Sequence, residues 1–265
     1  MTLIAEERLS DSPYVEQVTR GWSLEPGSAI RPAEIHWHMV FVKHAAGVLS
    51  LIVGPHTSSG LASWGEGAEI LWIKLRLGTF LPHLPTRDYV DSEKALPEAS
   101  GRRFWFRGAV RQLPEYENVE AFIDRLVRED DLAHDPLVSA ALRDELPEMS
   151  SRTVRHRFLR ATGQTQKHIQ QYERAQKAAA LLRRGVPILE AVFATGYFDQ
   201  PHMTRALKQF LGYTPAQILR ESQPEDCQNI QDNPLQTGYD TEVDYSVIRS
   251  GSTSMQMPKE KEYTV

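Results

Sequence analysis

One stretch, GVPILEAVFATGYFDQPHMTRALKQFLGYTPAQIL at positions 185–219, constrains this chain more than any other. Its pattern predicts a helix, a glycine turn, a second helix, and a short third helix entered through Thr214-Pro215. Ile188, Ala191, Val192 and Ala194 give the first helix an apolar stripe, and Gly196 supplies the turn. Asp199 is a good N-cap for a helix running to about Leu211, with Pro201 tolerated in its first turn. Met203, Leu207, Phe210 and Leu211 then face inward, leaving Gln200, His202, Arg205 and Lys208 outward. That is a helix-turn-helix with a polar, cationic outer face. Helices this short cannot hold themselves together, so a larger helical unit must surround them.

The rest of that unit lies upstream. Ser150 and Ser151 cap RTVRHRFLRATG, which places Val154, Phe158 and Leu159 on one face and Arg152, Arg155, His156 and Arg160 elsewhere before Gly163 ends it. Residues 165–184 form a long amphipathic helix, with Ile169, Tyr172, Ala175, Ala179 and Leu182 at helical spacing. Two capped basic helices on either side of a connecting helix make a double helix-turn-helix. An ordered series carries the identification: Ser150, Phe158, Thr162-Gly163, Arg174-Ala175, Leu181-Leu182, Ile188, Gly196-Tyr197, Asp199-Gln200, Thr204-Arg205, Lys208, Phe210, Gly212 and Thr214-Pro215. On these residues the segment resembles the AraC/XylS family of transcriptional regulators.

The resemblance implies a sequence-specific regulator that binds double-stranded DNA, forms a homodimer, responds to a small-molecule effector and contacts RNA polymerase. Arg152, Arg155 and His156 would serve one recognition helix, and Gln200, His202, Arg205 and Lys208 the other. Arg183, Arg184 and Lys167 are the expected phosphate contacts. The chain also departs from the family pattern. Where a first helix normally carries Leu and Ala before the capping serine, Arg143 and Asp144 stand, followed by Pro147-Glu148. That helix is therefore expected to be short or differently angled.

Charge agrees with this reading. Residues 151–222 hold 12 Lys+Arg against 4 acidic residues, +8, within a chain of net −5. A basic segment in an acidic protein is what contact with phosphates requires. The single cysteine, Cys227, excludes an intrachain disulfide framework and a cysteine zinc site. No run of 18 apolar residues occurs, and MTLIAEERLSDSPY is not a signal sequence, so a cytoplasmic protein with no membrane partner is expected.

Residues 1–112 read differently, as short apolar runs broken by Gly and Pro. In EILWIKLRLG, Leu71, Ile73, Leu75 and Leu77 alternate with Ile70, Trp72, Lys74 and Arg76; in HWHMVFVKH, Trp37, Met39 and Phe41 alternate with the histidines and valines. Many short strands predict a β-sandwich or small barrel, and by position this module resembles the cupin-like sensors joined to such DNA-binding domains. The fold class expected is thus α+β, a β-sandwich or cupin-like barrel followed by an all-α double helix-turn-helix.

Glu34, His36 and His38 share one strand face, and alternating histidines can point two imidazoles toward one metal. No acid follows His38 before Gly47, however, and His44, His56 and His83 complete no recognised ligand motif, so no metal or other cofactor and no catalytic residue are expected. A metal-dependent cupin-type enzyme fused to a DNA-binding module is the alternative. His36, His38, Trp72, Lys74 and Arg76 are the candidate effector contacts, suited to a small anionic or aromatic molecule. Residues 113–134 form a linker whose helix, 115–130, is apolar on one side through Val119, Phe122, Ile123, Leu126 and Val127, and is either a dimerisation surface or packed on its own barrel. The helical domain spans 135–222, and a polar tail at 223–265 is expected to be disordered.

Overall fold

The computed structural model describes residues 3–221 other than 46, 100 and 147. The tail at 223–265 lies outside them, and so does its expected disorder. The first half is β-structure: β1 (Leu3–Leu9), β2 (Val15–Ser23), β3 (Gly27–Arg31), β4 (His38–His44), β5 (Gly47–Val53), β6 (Gly60–Trp64), β7 (Glu69–Leu75), β8 (Thr79–Phe80), β9 (Glu93–Leu96), β10 (Glu98–Ala99), β11 (Arg103–Phe106) and β12 (Ala109–Gln112). Six of these pair antiparallel in the order β1-β2-β7-β4-β5-β9; β3 pairs with β6, and β10, β11 and β12 make a small third sheet. Alternation buries both faces of the large sheet. Met39, Phe41, Leu71, Ile73 and Leu75 join the main core, while Val40, Val42, Ile70 and Trp72 form a second cluster on the opposite side.

The linker helix α1 (Val119–Arg128) spends its apolar face on its own sheet. Val119, Ile123 and Leu126 are buried, and the Phe122 ring stands edge-on to Phe41 at 6.0 Å. Glu120 accepts hydrogen bonds from Arg8 at 2.6 and 2.9 Å and from Ser10 at 2.7 Å, tying the helix to β1. Of the two roles expected for this helix, the structure shows packing on its own sheet. β13 (Ala133–His134) then pairs with β8 and leads into the helical half.

α2 (Leu137–Leu142) is short, as the departure at Arg143-Asp144 predicts; Asp144 itself adopts a left-handed φ of 57°. Asp135 starts the helix, accepting from Leu137 N at 3.0 Å and from two nitrogens of Arg157 at 2.9 and 2.6 Å. α3 (Ser151–Thr162) is capped by Ser150 and α4 (Gln166–Arg183) by Thr165. α5 (Ile188–Thr195) ends at Gly196, α6 (Gln200–Leu211) is capped by Asp199, and α7 (Pro215–Glu221) follows Thr214. The predicted inward residues Met203, Leu207, Phe210 and Leu211 are all buried, as are Ile169, Tyr172, Ala175, Ala179 and Leu182 of α4. On α5, Ala194 is exposed instead of completing the stripe, which runs through Ile188, Ala191 and Val192.

The two halves share one buried core, and hydrogen bonds join them at two places. At the end of α3, Trp37 Nε1 donates to the Ala161 carbonyl at 3.2 Å and Thr86 Oγ1 to the Arg160 carbonyl at 2.6 Å. At the end of α6, Ala33 N donates to the Phe210 carbonyl at 2.6 Å and Ser59 N to the Gln209 carbonyl at 2.7 Å. All four acceptors lie in a last helical turn, where carbonyls have no partner within the helix. The β-half therefore completes the C-termini of both α3 and α6.

The glycines that end these helices fit the same contact. A Cβ on Gly212 (φ +81°) would come within 2.4 Å of Ile30 Cγ2, whereas a Cβ on Gly196 (φ +68°) would meet nothing within 4 Å. Both glycine-to-alanine changes incur the left-handed penalty of about 1–2 kcal/mol, but only Gly212→Ala also pushes the halves apart. Denaturant unfolding is expected to show the larger loss for Gly212→Ala. Equal losses would mean that the Ile30 contact contributes nothing.

Candidate nucleic-acid interface

The double helix-turn-helix consists of α2 and α3, the long α4, then α5 and α6. Each reading helix is fixed at both ends. α3 begins where Ser150 Oγ accepts from Thr153 N at 3.2 Å, and α6 where Asp199 accepts from His202 N at 2.7 Å. Both finish on the β-half. Twelve residues make each helix ~18 Å long, so the first turns lie well away from the strands.

Six of the sequence-predicted contacts lie in those first turns. Arg152, Arg155 and His156 are exposed in the first two turns of α3, and Gln200 and Arg205 in those of α6. Lys167, at the start of α4, and Arg183 and Arg184, at its end, are also exposed. His202 is half-buried, its ring edge-on to Tyr197 at 5.1 Å, so only part of it faces outward. Lys208 is exposed at the opposite end of α6, where Ser59 Oγ donates to its carbonyl at 3.0 Å. Other basic residues have structural partners: Arg157 grips Asp135, Arg160 lies over the Phe80 ring at 5.6 Å, and Arg174 lies over the Tyr197 ring at 5.7 Å, bracing the second turn against α4. Sequence periodicity missed the exposed Leu189, Phe193 and Phe198, which are 61%, 79% and 91% accessible around that turn.

A second constellation lies inside the β-half. Glu34 Oε1 accepts from the backbone N–H groups of Ile35 and His36 at 2.8 and 2.9 Å and meets His36 Nδ1 at 2.5 Å. His36 Nε2 lies 3.1 Å from Glu16, which also holds Lys74 at 3.1 Å, and His38 Nε2 lies 3.6 Å from Glu34. Burial alone would raise the Glu34 carboxyl, but the charges of His36 and Lys74 and the imidazole hydrogen bonds hold it well below the carboxylate range. Burial works to lower His36, yet Glu34 and Glu16 outweigh it and keep the imidazole above its usual value. His38, more dependent on burial, is pushed down.

Thus His36, His38 and Lys74 meet as expected, and Trp72 lies on the same face of β7 as Lys74. Arg76 is a correction: its guanidinium donates to the Ser12 and Ser10 carbonyls at 2.8 and 2.9 Å, which fixes the β1–β2 connection and leaves it outside the cluster. Sequence reasoning missed Glu16 as a member, because β2 joins the cluster only through its pairing with β7. His56 enters through the Glu34–His56 bridge, with backbone hydrogen bonds of 2.9 and 2.7 Å, while His83 lies apart against the Asp130 carbonyl. Both ring nitrogens of His36 face carboxylates, and among the described residues no group of three or more His, Cys, Asp or Glu is placed to hold a metal ion.

Comparison with protein families matches residues 147–221 to a helix-turn-helix domain. No curated protein and no solved structure matches the chain. Among the described residues, no helix is long and apolar enough to cross a membrane.

Burial and the nearby Arg31 charge hold His56 down to about 4. The unfolded chain takes up this proton below about pH 6.5, whereas the native state resists until near pH 4, so His56 costs stability as pH falls through that window. The difference in unfolding free energy between wild type and His56→Gln should therefore change between pH 6.5 and 4.5. A difference independent of pH would overturn the assignment.

Proposed function

We propose that this chain is a DNA-binding transcriptional regulator of the AraC type that reads duplex DNA with both halves of its helical domain, a reading supported by the match of residues 147–221 to a helix-turn-helix domain. Arg152, Arg155 and His156 enter one major groove; Gln200, His202 and Arg205 enter the next on the same DNA face, about 34 Å away. Lys167, Arg183 and Arg184 contact phosphates and fix the register. The observation that carries this reading is the pair of capped helices, anchored at their C-termini and presenting exposed polar side chains in their first turns.

We further propose that the β-half is a sensor and that segment 33–38 transmits its state. Glu34, His36 and His38 belong to the interior cluster, while Ala33 and Trp37, between or beside them, donate to the ends of α6 and α3. A small anionic or aromatic effector that disturbs the Glu34–His36–Lys74 network would thereby shift both reading helices. The side chain of Gln164, just after α3, donates to the Glu34 carbonyl at 3.4 Å and supports the same route.

Mapping of binding sites across the host genome supplies the operator for the test. On it, Arg205→Ala should cost roughly 1–3 kcal/mol and relax preference at one base pair; equal loss on every sequence would reduce Arg205 to a phosphate contact. Glu34→Gln, far from any proposed DNA contact, should alter operator affinity as well. Unchanged affinity in a folded Glu34→Gln protein would sever the sensor from the reading helices.

A further inference from the structure

Beside the first reading helix lies a cavity of about 520 Å³. Leu146, Met149, Val154, Phe158 and Leu159 contribute its apolar lining. α2 stops at Leu142, and beyond it Leu146 and Met149 remain 42% and 43% exposed at the mouth of the cavity. Two exposed cations complete the lining, Arg155 from the second turn of α3 and Lys167 from the first turn of α4. Thr165 and Gln166 bring the positive end of α4 to the same wall.

We infer that this cavity binds a small amphipathic monoanion, a carboxylic acid with an aliphatic or aromatic body. The volume lies in the range of small-molecule sites, and mostly apolar walls with a few convergent polar groups are what such sites present. The body replaces water along Val154, Phe158 and Leu159. The carboxylate meets the Arg155 guanidinium, whose forked donors match it, and the Lys167 ammonium. A neutral molecule would gain nothing from the cations, and an amine would be repelled.

The consequence for DNA rests on the proposed function, since Arg155 and Lys167 are contacts there too. An acid seated in the cavity occupies the two cations that the first groove and its phosphates require, so acid and DNA exclude one another at α3. The second helix-turn-helix is untouched.

Calorimetric titration of the full chain with decanoate, below its micelle-forming range, tests this. Saturable binding of one decanoate is expected, at least tenfold tighter than decanol. Lys167→Ala, a surface change, should weaken decanoate at least fivefold and leave decanol unaffected. Leu146→Asp, which puts a carboxylate in the lining, should abolish binding while the helical circular dichroism persists. No saturable binding, equal binding of acid and alcohol, or indifference to both variants would overturn the site. Operator affinity measured without acid keeps the two readings apart: DNA binding without decanoate binding overturns this inference alone, and decanoate binding without DNA binding overturns the DNA reading alone. Saturating decanoate should weaken operator binding at least tenfold; unchanged affinity would overturn the competition.

Discussion

The C-termini of α3 and α6 depend on donors they do not possess. Their last turns present four carbonyls with no partner inside the helix, and the β-half satisfies them through Trp37, Thr86, Ala33 and Ser59. The same surface thus fixes both helices. Their relative angle is set by the strands as well as by α4, and the left-handed glycines Gly163 and Gly212 allow the approach. A Cβ on Gly163 would lie 2.7 Å from Val90 and one on Gly212 2.4 Å from Ile30, so each helix end is seated on the β-half by shape as well as by hydrogen bonds.

The chain uses the period of two in extended backbone to place a charged cluster and a helix cap side by side. Across residues 33–38, even positions supply Glu34, His36 and His38 to the interior, and odd positions supply Ala33 and Trp37 to the helices. Buried charges persist only when paired, and here each carboxylate of the cluster has a cationic or imidazole neighbour. Loss of one partner would therefore propagate: Glu34 would lose its offset against burial, and its backbone, hydrogen-bonded to His56 and Gln164, lies between the two helix caps.

The helical half was largely legible because its signals are local. Ser150, Thr165 and Asp199 cap helices by contacts within three residues, and Gly163, Gly196 and Gly212 end them with positive φ. The inward faces of α4 and α6 followed from spacing alone. Ala194 failed because α5 is only eight residues long, so a few packing contacts decide which side is covered. In the β-half, alternation identified the two faces of β4 and β7, but the residues completing a site come from distant strands. Glu16 reaches His36 across twenty positions, and Arg76 turns away to Ser10 and Ser12, contacts that no periodicity encodes. The dependence of α3 and α6 on Ala33, Ser59 and Thr86 was invisible for the same reason.

Electrostatics adds a direction to this architecture. Residues 1–150 carry 15 Lys+Arg against 23 acidic residues, −8, while 151–222 carry +8. Cations at a helix C-terminus are the ordinary complement to its negative end, and here the helices supply their own, Arg160 and Lys208, while the β-half caps α3 and α6 with neutral donors, an indole, a hydroxyl and backbone N–H groups. The negative ends of both helices therefore face the acidic half, and the positive ends, flanked by Arg152, Arg155 and Arg205, face away from it. A polyanion approaching from the β-side meets repulsion, and one approaching the first turns meets cations, helix N-termini and exposed hydrogen-bonding side chains together. The capping that holds the helices in place and the charge distribution around them thus act along the same axis.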